Sequence, residues 1–360
     1  MVRQQTACDH RFSDRLRVRG FTFVELLVVL VIIVLLLSLG LPAMSRSRQR
    51  ARILDCSNNL RNINLALIQA ATDKERLPAC GNFGKTTMCH SWVLGLLPHL
   101  DQGVVYVNWN QDAGLSYPPN QTLAQTSIRV LTCPSDLSVE PDAGNLSYVV
   151  NGGIGFTAQI GGVHDCPVAP FGSKIDFNGN GSTCLSSGLP DGDPSDKDFF
   201  FKTGLFFNET WKWNVTVRHH RLDTVVDGLS QTITLAENVR TGYNPSDPNT
   251  ENWANSNPYR TSFYIGNPCK NDACTAGNVD YGTCNSGKYA INSGLTASEG
   301  ASPVPNSFHG EGVNMAFGDG RVKFVNQKLD SRVYAALVSP QGMLLENTLL
   351  AQPVVSDASY

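Results

Sequence analysis

The sequence predicts an α+β protein in which a long N-terminal helix packs on a mainly antiparallel β domain with long, disulfide-pinned loop insertions. Three observations lead to this prediction. An apolar run at residues 21–41 is followed by apolar residues spaced three and four apart, which indicates one long helix. From residue 81, short apolar segments alternate with Gly, Pro, Asn and Asp, as is typical of strands and turns. Ten cysteines in 360 residues indicate disulfides in an exported chain.

The composition excludes two broad classes of protein. With 41% hydrophobic and 16% charged residues, the chain has too much apolar content for intrinsic disorder. Its net charge of −3 shows no basic excess, so we expect no nucleic-acid partner. The charge is uneven, because five arginines and two aspartates give residues 1–20 a charge of +3 and leave −6 for the rest.

The apolar run begins at Phe21 and contains a single charge, that of Glu25. A helix of this length covers about 31 Å, the thickness of one hydrocarbon core. We therefore predict a leader (1–20), a transmembrane helix (21–42) and an amphipathic continuation of that helix (43–76). The apolar stripe of the continuation consists of Ile53, Cys56, Leu60, Ile63, Leu67 and Ala70.

Glu25 is unusual because a carboxylate inside a membrane helix costs about 2.5–3.5 kcal/mol on insertion scales and is expected to have a function. The segment at 19–25, which reads RGFTFVE, resembles the type IV prepilin processing site. This resemblance implies that a prepilin peptidase cleaves between Gly20 and Phe21 and that Phe21 is then N-methylated. It also implies that Glu25 faces the ammonium group of a neighbouring subunit's Phe21, and that Pro42 is the helix-kinking proline of the pilins.

The same resemblance implies a location and partners. We expect a single-pass protein of the cytoplasmic membrane whose C-terminal domain lies in the periplasm or at the cell surface. The expected partners are the lipid bilayer, the prepilin peptidase and further subunits that bind through the N-terminal helix in a homo- or hetero-assembly.

Nine cysteines remain once Cys8 is removed with the leader. They contain no C-x-x-C pair, which argues against a zinc site. The expected disulfides are Cys56–Cys133, Cys80–Cys89 and Cys166–Cys184, with two of Cys269, Cys274 and Cys284 forming a fourth. Other connectivities remain open, and the odd number leaves at least one thiol free or intermolecular.

Residues 77–345 are predicted to form an extracytoplasmic α+β domain, followed by a C-terminal tail at 346–360. Turn-rich stretches near 151–200 and 241–306 are expected to be insertions. The predicted elements are helices at 91–100 and 330–338 and strands at 129–133, 146–150, 199–207, 214–217 and 232–237. Alternation over residues 313–325, on both sides of Asp319-Gly320, predicts a hairpin with a primed turn.

A second resemblance runs through this domain. His309, followed by nine residues and then Asp319-Gly320, is similar to the C-terminal signature of a bacterial prepilin-like family, domain of unknown function 1559. Further blocks similar to this family are CSNNLR at 56–61, LAL at 65–67, LTCPSD at 131–136, DGLSQT at 227–232 and AEN at 236–238. The resemblance implies one domain and brings no established catalytic activity.

Catalytic alternatives depend on histidines. His219-His220, or His309 with Asp319, would supply a metal or acid–base site for a hydrolase, yet the sequence contains neither H-E-x-x-H nor G-x-S-x-G. A structural hydrogen bond near the hairpin is the other interpretation of His309. The stretch at 282–288, GTCNSGK, imitates a phosphate-binding loop but is followed by Tyr289 instead of Ser or Thr. We therefore predict that the protein is not an enzyme.

One loop has the ligand pattern of a calcium site. Asp176, Asn178 and Asn180 are oxygen-bearing residues at alternate positions, as in the first half of a calcium loop. The twelfth position is Ser187 instead of Glu, so the loop is not an EF-hand. A Ca²⁺ site and a metal-free turn both remain open, and we expect no other cofactor.

Taken together, these features predict a membrane-anchored, prepilin-peptidase-processed subunit that resembles a pseudopilin and serves in assembly outside the cytoplasmic membrane. The alternative is a tethered surface or periplasmic binding module for a glycan, solute or protein that forms no fibres.

Overall fold

The computed structural model describes residues 21–83, 88–154, 168–169, 173–174, 194–210, 219–241, 252–266, 268, 277–345, 352, 355–356 and 360. The chain divides into two compact units, residues 1–50 and residues 51–360. The described part combines one long helix with a mixed helix and sheet domain, which confirms the α+β prediction.

Helix α1 covers Phe23–Asp73, so one continuous helix runs through most of the predicted membrane segment (21–42) and most of its predicted continuation (43–76). In the second unit, the predicted apolar stripe of α1 faces the core, since Ile53 is half-buried and the other members are buried. The buried members of the stripe are Cys56, Leu60, Ile63, Leu67 and Ala70. None of the helices that the structure describes combines the length and the apolar character that crossing a membrane requires.

A five-stranded sheet organises the second unit. The strands in chain order are β1 (Gly81–Phe83), β2 (Met88–Ser91), β3 (Tyr148–Ile154), β4 (Val168–Ala169), β5 (Ser173–Lys174), β6 (Asn208–Thr210), β7 (Ile233–Glu237), β8 (Ser262–Ile265), β9 (Gly312–Phe317) and β10 (Val322–Asn326). The large sheet has the order β10-β9-β7-β3-β8, in which β3 and β8 are parallel and the other neighbours are antiparallel. Strands β2-β1-β6 form a small sheet, and β4 pairs with β5.

The central strands of the large sheet are buried on both faces, whereas the edge strand β10 is partly exposed. The side chains of β3 alternate between two core clusters, with Tyr148 and Val150 in one and Val149 in the other. The first cluster contains the stripe of α1, and the second contains helix α6 (Ser331–Val338). The remaining helices are α2 (Gly103–Asn108), α3 (Pro118–Ala124), α4 (Pro194–Thr203) and α5 (Pro258–Thr261), with 3-10 helices that include Trp92–Leu100 and Arg129–Leu131.

A buried amide joins helix α1 to the large sheet. Asn64 donates from Nδ2 to the carbonyl of Phe317 at 2.7 Å and accepts at Oδ1 from the Thr234 hydroxyl at 2.7 Å. Because both polar atoms of the fully buried amide are paired, this contact fixes the position of the helix along the strands.

The β9–β10 hairpin forms as predicted, but its turn is different. The Phe317 amide donates to the Arg321 carbonyl, so three residues lie between the paired positions instead of two. Of these residues only Gly320 has a positive φ, at 90°. A primed two-residue turn needs a positive φ at both central positions, whereas a three-residue loop needs only a final left-handed residue. The Asp-Gly pair suits either turn, so local sequence did not distinguish them.

Two further sequence predictions differ from the structure. The strand expected at 129–133 is the short 3-10 helix Arg129–Leu131. The strand expected at 199–207 overlaps helix α4, where consecutive aromatic residues imitated a strand pattern. The stretch 241–306, predicted to be an insertion, contains strand β8 and the fully buried Trp253. The predicted strand at 214–217 lies outside the described residues.

Candidate functional site

The first candidate site is the start of helix α1. Thr22 precedes the helix, and its amide and hydroxyl both donate to Glu25 Oε2, at 2.8 and 2.9 Å. The Glu25 amide in turn approaches the Thr22 hydroxyl at 3.3 Å. This reciprocal pattern is a capping box, which satisfies amide groups that the first helical turn leaves open. Glu25 therefore has a local structural role, which the sequence analysis did not anticipate.

The apolar side chains that follow are exposed within the described chain. Phe21 and Phe23 are 75% and 77% exposed, and the apolar side chains from Val24 to Leu37 are likewise exposed. Extended exposed apolar surface of this kind is typical of segments that contact lipid or other proteins. Gly20 lies outside the described residues, and Pro42 lies within α1 but its side chain is not described.

The second candidate site surrounds a disulfide. Cys56 on α1 and Cys133, just after the 3-10 helix Arg129–Leu131, form the expected bond, which confirms this pairing. The bond closes a sequence separation of 77 residues. In the chain-entropy description such a link stabilises the folded state by about 4.5 kcal/mol. It holds the helix against the loop that leads into strand β3.

A histidine and a glutamate lie against this disulfide. His309 Nε2 is 3.1 Å from Glu237 Oε1 and 3.6 Å from Cys133 Sγ. The side chains of His309 and Glu237 are 1% and 0% exposed. Since Glu237 ends strand β7 and His309 precedes β9, the two strands that neighbour each other in the sheet bring these residues together.

Asn314 completes the surroundings of the buried carboxylate. Its amide donates to Glu237 Oε2 at 2.7 Å, and its Nδ2 donates to Oε1 at 2.8 Å. With the contact to His309, the carboxylate has three hydrogen-bond partners, which offset the cost of removing it from water. Nδ2 of Asn314 also reaches the Ile53 carbonyl at 3.4 Å, so the cluster is linked to helix α1.

The cluster also has the composition of a metal site. Cys56, Cys133, Glu237 and His309 each offer one ligand atom, and these atoms lie within 4.8 Å of one another. Of the four, His309 was a predicted signature residue and the two cysteines were predicted disulfide partners. Glu237 belongs to the AEN block but was not singled out as a site residue. The sequence signal that could have identified it is a single acid at the end of the apolar strand predicted at 232–237.

The other signature residues do not join this cluster. Asp319 lies in the hairpin loop, where its Oδ1 accepts from the Arg321 amide at 3.0 Å. A side chain at Gly320 would lie 3.5 Å from Leu65 and 3.9 Å from Ile68 of α1. The Asp-Gly part of the signature thus shapes the turn beside helix α1, while His309 serves the buried cluster.

The histidine pair has separate contacts. His220 stacks on Phe201 with ring centroids 3.9 Å apart, and its Nε2 lies 2.7 Å from the Phe201 carbonyl. His219 Nε2 lies 3.7 Å from Glu209 Oε1. These contacts do not assemble a site with His309.

The expected Cys80–Cys89 disulfide is wrong. Cys80 is a buried thiol that lies 2.9 Å from Asn208 Oδ1, and burial raises its pKa to about 12. The Trp92 amide donates to the Cys80 carbonyl, so Cys80 faces Trp92 across the small sheet. Cys89 is three residues before Trp92, which corresponds to a shift of roughly 10 Å along the strand away from Cys80. A disulfide needs Cα atoms closer than about 7 Å, so this arrangement does not allow the bond.

Most of the remaining predicted site residues lie outside the described part of the chain. Cys284 is a buried thiol, and burial raises its pKa well above the usual range. Cys166, Cys184, Cys269 and Cys274 lie outside the described residues, as do Asp176, Asn178 and Asn180 of the expected calcium loop.

A small polar cavity lies beyond the end of α1, next to Glu209 on β6. Its volume is about 80 Å³, room for two or three water molecules at roughly 30 Å³ each but not for an organic solute. Arg76 pairs with Glu209 at 3.1 Å. Partial burial opposes ionisation of Glu209, but the hydrogen bonds from Arg76 and the nearby charges of Arg76 and His219 outweigh it and lower the pKa to about 2.

This depressed pKa predicts an acid-dependent loss of stability. The folded-state pKa of Glu209 is below its ordinary value of 4.5. Ionised Glu209 therefore makes its full contribution to the free energy of unfolding above pH 4.5, and this contribution disappears as the pH falls towards 2. We expect Glu209→Gln to lower the free energy of unfolding at pH 6 and to cost progressively less below pH 4.5. Urea unfolding across this range tests it, with the exposed Glu140→Gln as control. A cost for Glu209→Gln that is constant with pH would contradict the prediction.

Comparison with known proteins gives two matches to family models. The model for the prokaryotic N-terminal methylation motif matches residues 15–41, the segment that contains Gly20, Phe21 and Glu25. This motif implies processing by a prepilin peptidase and a membrane context for the N-terminus. Neither the curated proteins nor the solved structures contain a match to the chain. The model described as "Protein of unknown function (DUF1559)" matches residues 45–332, which includes every member of the buried cluster. The chain is therefore a prepilin-like member of the DUF1559 family.

Proposed function

We propose that this protein is a membrane-anchored, pseudopilin-like subunit that is cleaved after Gly20 and assembles with other subunits through its N-terminal helix. The anchor crosses the cytoplasmic membrane once and leaves the large domain in the periplasm or at the cell surface. The observation that carries the proposal is the exposed apolar surface of the chain from Phe21 to Leu37, interrupted by the carboxylate of Glu25. Such a surface needs lipid or other subunits around it.

The capping box leaves Glu25 able to act between subunits. Both bonds from Thr22 reach Oε2, so Oε1 can still accept from a neighbouring chain. In our proposal its partner is the ammonium group of the neighbour's Phe21. Opposite charges in apolar surroundings relieve each other's desolvation and so set the axial register of packed helices.

Two variants separate the capping role of Glu25 from its charge. Glu25→Gln removes the charge but retains a residue that completes a capping box. Thr22→Ala removes the cap and leaves the charge in place. We expect Glu25→Gln to be processed normally and to form at least ~10-fold fewer fibres, since the loss of an ionic partner in an apolar setting exceeds about 1.4 kcal/mol. Thr22→Ala is expected to assemble.

Fibres are counted by electron microscopy of sheared cell surfaces in the host. The intact mass of the purified chain under non-reducing conditions reports cleavage after Gly20, the methyl group on Phe21 and the number of disulfides. Wild-type fibre numbers in Glu25→Gln would contradict the inter-subunit role of Glu25. A chain that still begins at Met1 in cells with an active peptidase would contradict the proposed processing.

A groove on the second unit favours the alternative, a tethered binding module. It has a volume of about 550 Å³, within the range of roughly 300–1,000 Å³ that small-molecule sites occupy. Its lining mixes apolar and polar side chains, including Leu65, Ile68, Gln69, His99, Leu100 and Val130. A chain that detergent extracts as a monomer, together with the absence of filaments, would favour this alternative over assembly.

We propose no catalytic role for either function. His309, the residue on which a hydrolase would depend, is held between Glu237 and the disulfide, and its side chain is almost fully buried. This environment supports a structural role, because a general base must reach the substrate proton within hydrogen-bonding distance.

A further inference from the structure

We propose that Cys56, Cys133, Glu237 and His309 form a binding site for a zinc-class divalent cation when the Cys56–Cys133 disulfide is reduced. The site lies entirely within the second unit and does not depend on the function proposed for the N-terminal helix. In the oxidised chain, both sulfurs are occupied by their mutual bond, so the same four side chains form a disulfide cluster.

The positions of the ligand atoms support this proposal. A tetrahedral zinc ion has bonds of about 2.0–2.3 Å, which place neighbouring ligand atoms about 3.3–3.8 Å apart. His309 Nε2 is 3.6 Å from Cys133 Sγ and 3.1 Å from Glu237 Oε1, and all four ligand atoms lie within 4.8 Å. The two sulfurs must separate once their bond is broken, and the other contacts need only small adjustments.

The donor set selects the class of metal. Two thiolates, an imidazole and a carboxylate are ligands of zinc and chemically similar transition metals, whereas Ca²⁺ and Mg²⁺ prefer oxygen ligands. The proposal also accounts for the position of Asn314, whose amide donates to Glu237 Oε2 while Oε1 faces the site. Outer-shell hydrogen bonds of this kind orient metal-bound carboxylates.

The disulfide is reduced before the cation binds. An external dithiol reduces the bond, so the Cys56–Cys133 S–S bond breaks, two thiols form and the dithiol becomes its own disulfide. Binding of the divalent cation then displaces the two thiol protons. The ring proton of His309, which faces Glu237 on Nε2 in the oxidised chain, moves to Nδ1, so that the neutral imidazole binds the cation through the lone pair of Nε2. The positive charge of the cation compensates the negative charges of the two thiolates and the carboxylate. These charges can therefore be held among four buried side chains.

Cobalt is a suitable probe because tetrahedral Co²⁺ with thiolate ligands has visible d–d bands and a near-ultraviolet charge-transfer band. The full chain is purified in detergent, reduced with dithiothreitol under nitrogen, freed of reductant and titrated with Co²⁺. We expect one equivalent to give both bands and Zn²⁺ to displace it. The oxidised chain is expected to show no thiolate band from this site.

Variants identify which cysteines bind. The Cys56→Ser/Cys133→Ser variant should lose the thiolate band, while Cys80→Ala/Cys284→Ala, which alters two other buried thiols, should retain it. If the first variant fails to fold, Glu237→Gln keeps both cysteines and a similar side-chain shape. Outer-shell changes already weaken metal binding about 10–100-fold, so losing this direct ligand should weaken Co²⁺ binding by at least ~10-fold.

Two results would overturn the proposal. One is a reduced wild-type chain that shows no thiolate–Co²⁺ band although it remains folded by circular dichroism. The other is a folded Cys56→Ser/Cys133→Ser or Glu237→Gln variant that binds Co²⁺ with wild-type affinity and spectrum.

Discussion

Replacing Cys133 with Ser is expected to lower the free energy of unfolding by about 4–5 kcal/mol. The bond to Cys56 closes a loop with a sequence separation of 77 residues, and cross-links over loops of this size restrict the unfolded chain strongly. The variant also leaves Cys56 buried at the surface of α1 that faces the sheet, with no covalent partner. Denaturant unfolding of the full chain in detergent, under non-reducing conditions, measures the change.

A matched control separates the cross-link from the volume of a thiol. Cys80→Ala removes a buried cysteine that has no disulfide bond, and we expect a loss of only about 1–2 kcal/mol. Reduced wild type should approach the stability of Cys133→Ser. If Cys133→Ser costs no more than Cys80→Ala, the disulfide does not contribute the stability that loop closure predicts.

Replacing Glu237 with Ala is expected to cost about 3–5 kcal/mol. The change removes the acceptor of three donors, namely His309 Nε2 and the two nitrogen atoms of Asn314, and leaves them buried. Each unsatisfied buried donor costs about 1–3 kcal/mol, so the loss of this shared acceptor costs several kcal/mol in total. Thermal and denaturant unfolding of the full chain test this prediction.

Glu311→Ala is the control for this substitution, because Glu311 is exposed and lies only two residues after His309. Its expected effect is within about 0.5 kcal/mol of wild type, as is usual for surface substitutions. Equal costs for the two substitutions would show that the Glu237 hydrogen bonds do not stabilise the domain.

Local sequence was a good guide where a feature depends on neighbouring residues. The stripe from Cys56 to Ala70 is buried as predicted, since helical spacing alone decides which side chains share a face. Helix α6 lies within the predicted range of 330–338, and it is capped by Asp330, whose side chain accepts from the Arg332 amide at 2.9 Å. Strand β7 likewise lies within its predicted range.

Local sequence failed where tertiary contacts decide the conformation. Phe199 and Phe200 both have a high propensity for strands, yet they belong to helix α4. In this helix Asp198 Oδ2 and Lys202 Nζ form an ion pair one turn apart, at 2.7 Å. Strand β8 was hidden in a polar stretch, because its partner β3 is more than a hundred residues away in the chain. Pairing with a distant strand leaves no periodic signal of its own in so short a segment.

The two candidate sites differ in the same way, since one lies in a contiguous segment and the other depends on tertiary contacts. The segment from Gly20 to Glu25 is contiguous, so the sequence alone identified its prepilin-type chemistry and the DUF1559 blocks identified the family. Only the tertiary structure brought Glu237 to His309, over a separation of 72 residues, and placed both beside the disulfide. Side-chain contacts over such distances depend on how the strands are ordered in the sheet, and that order arises from packing of the whole domain.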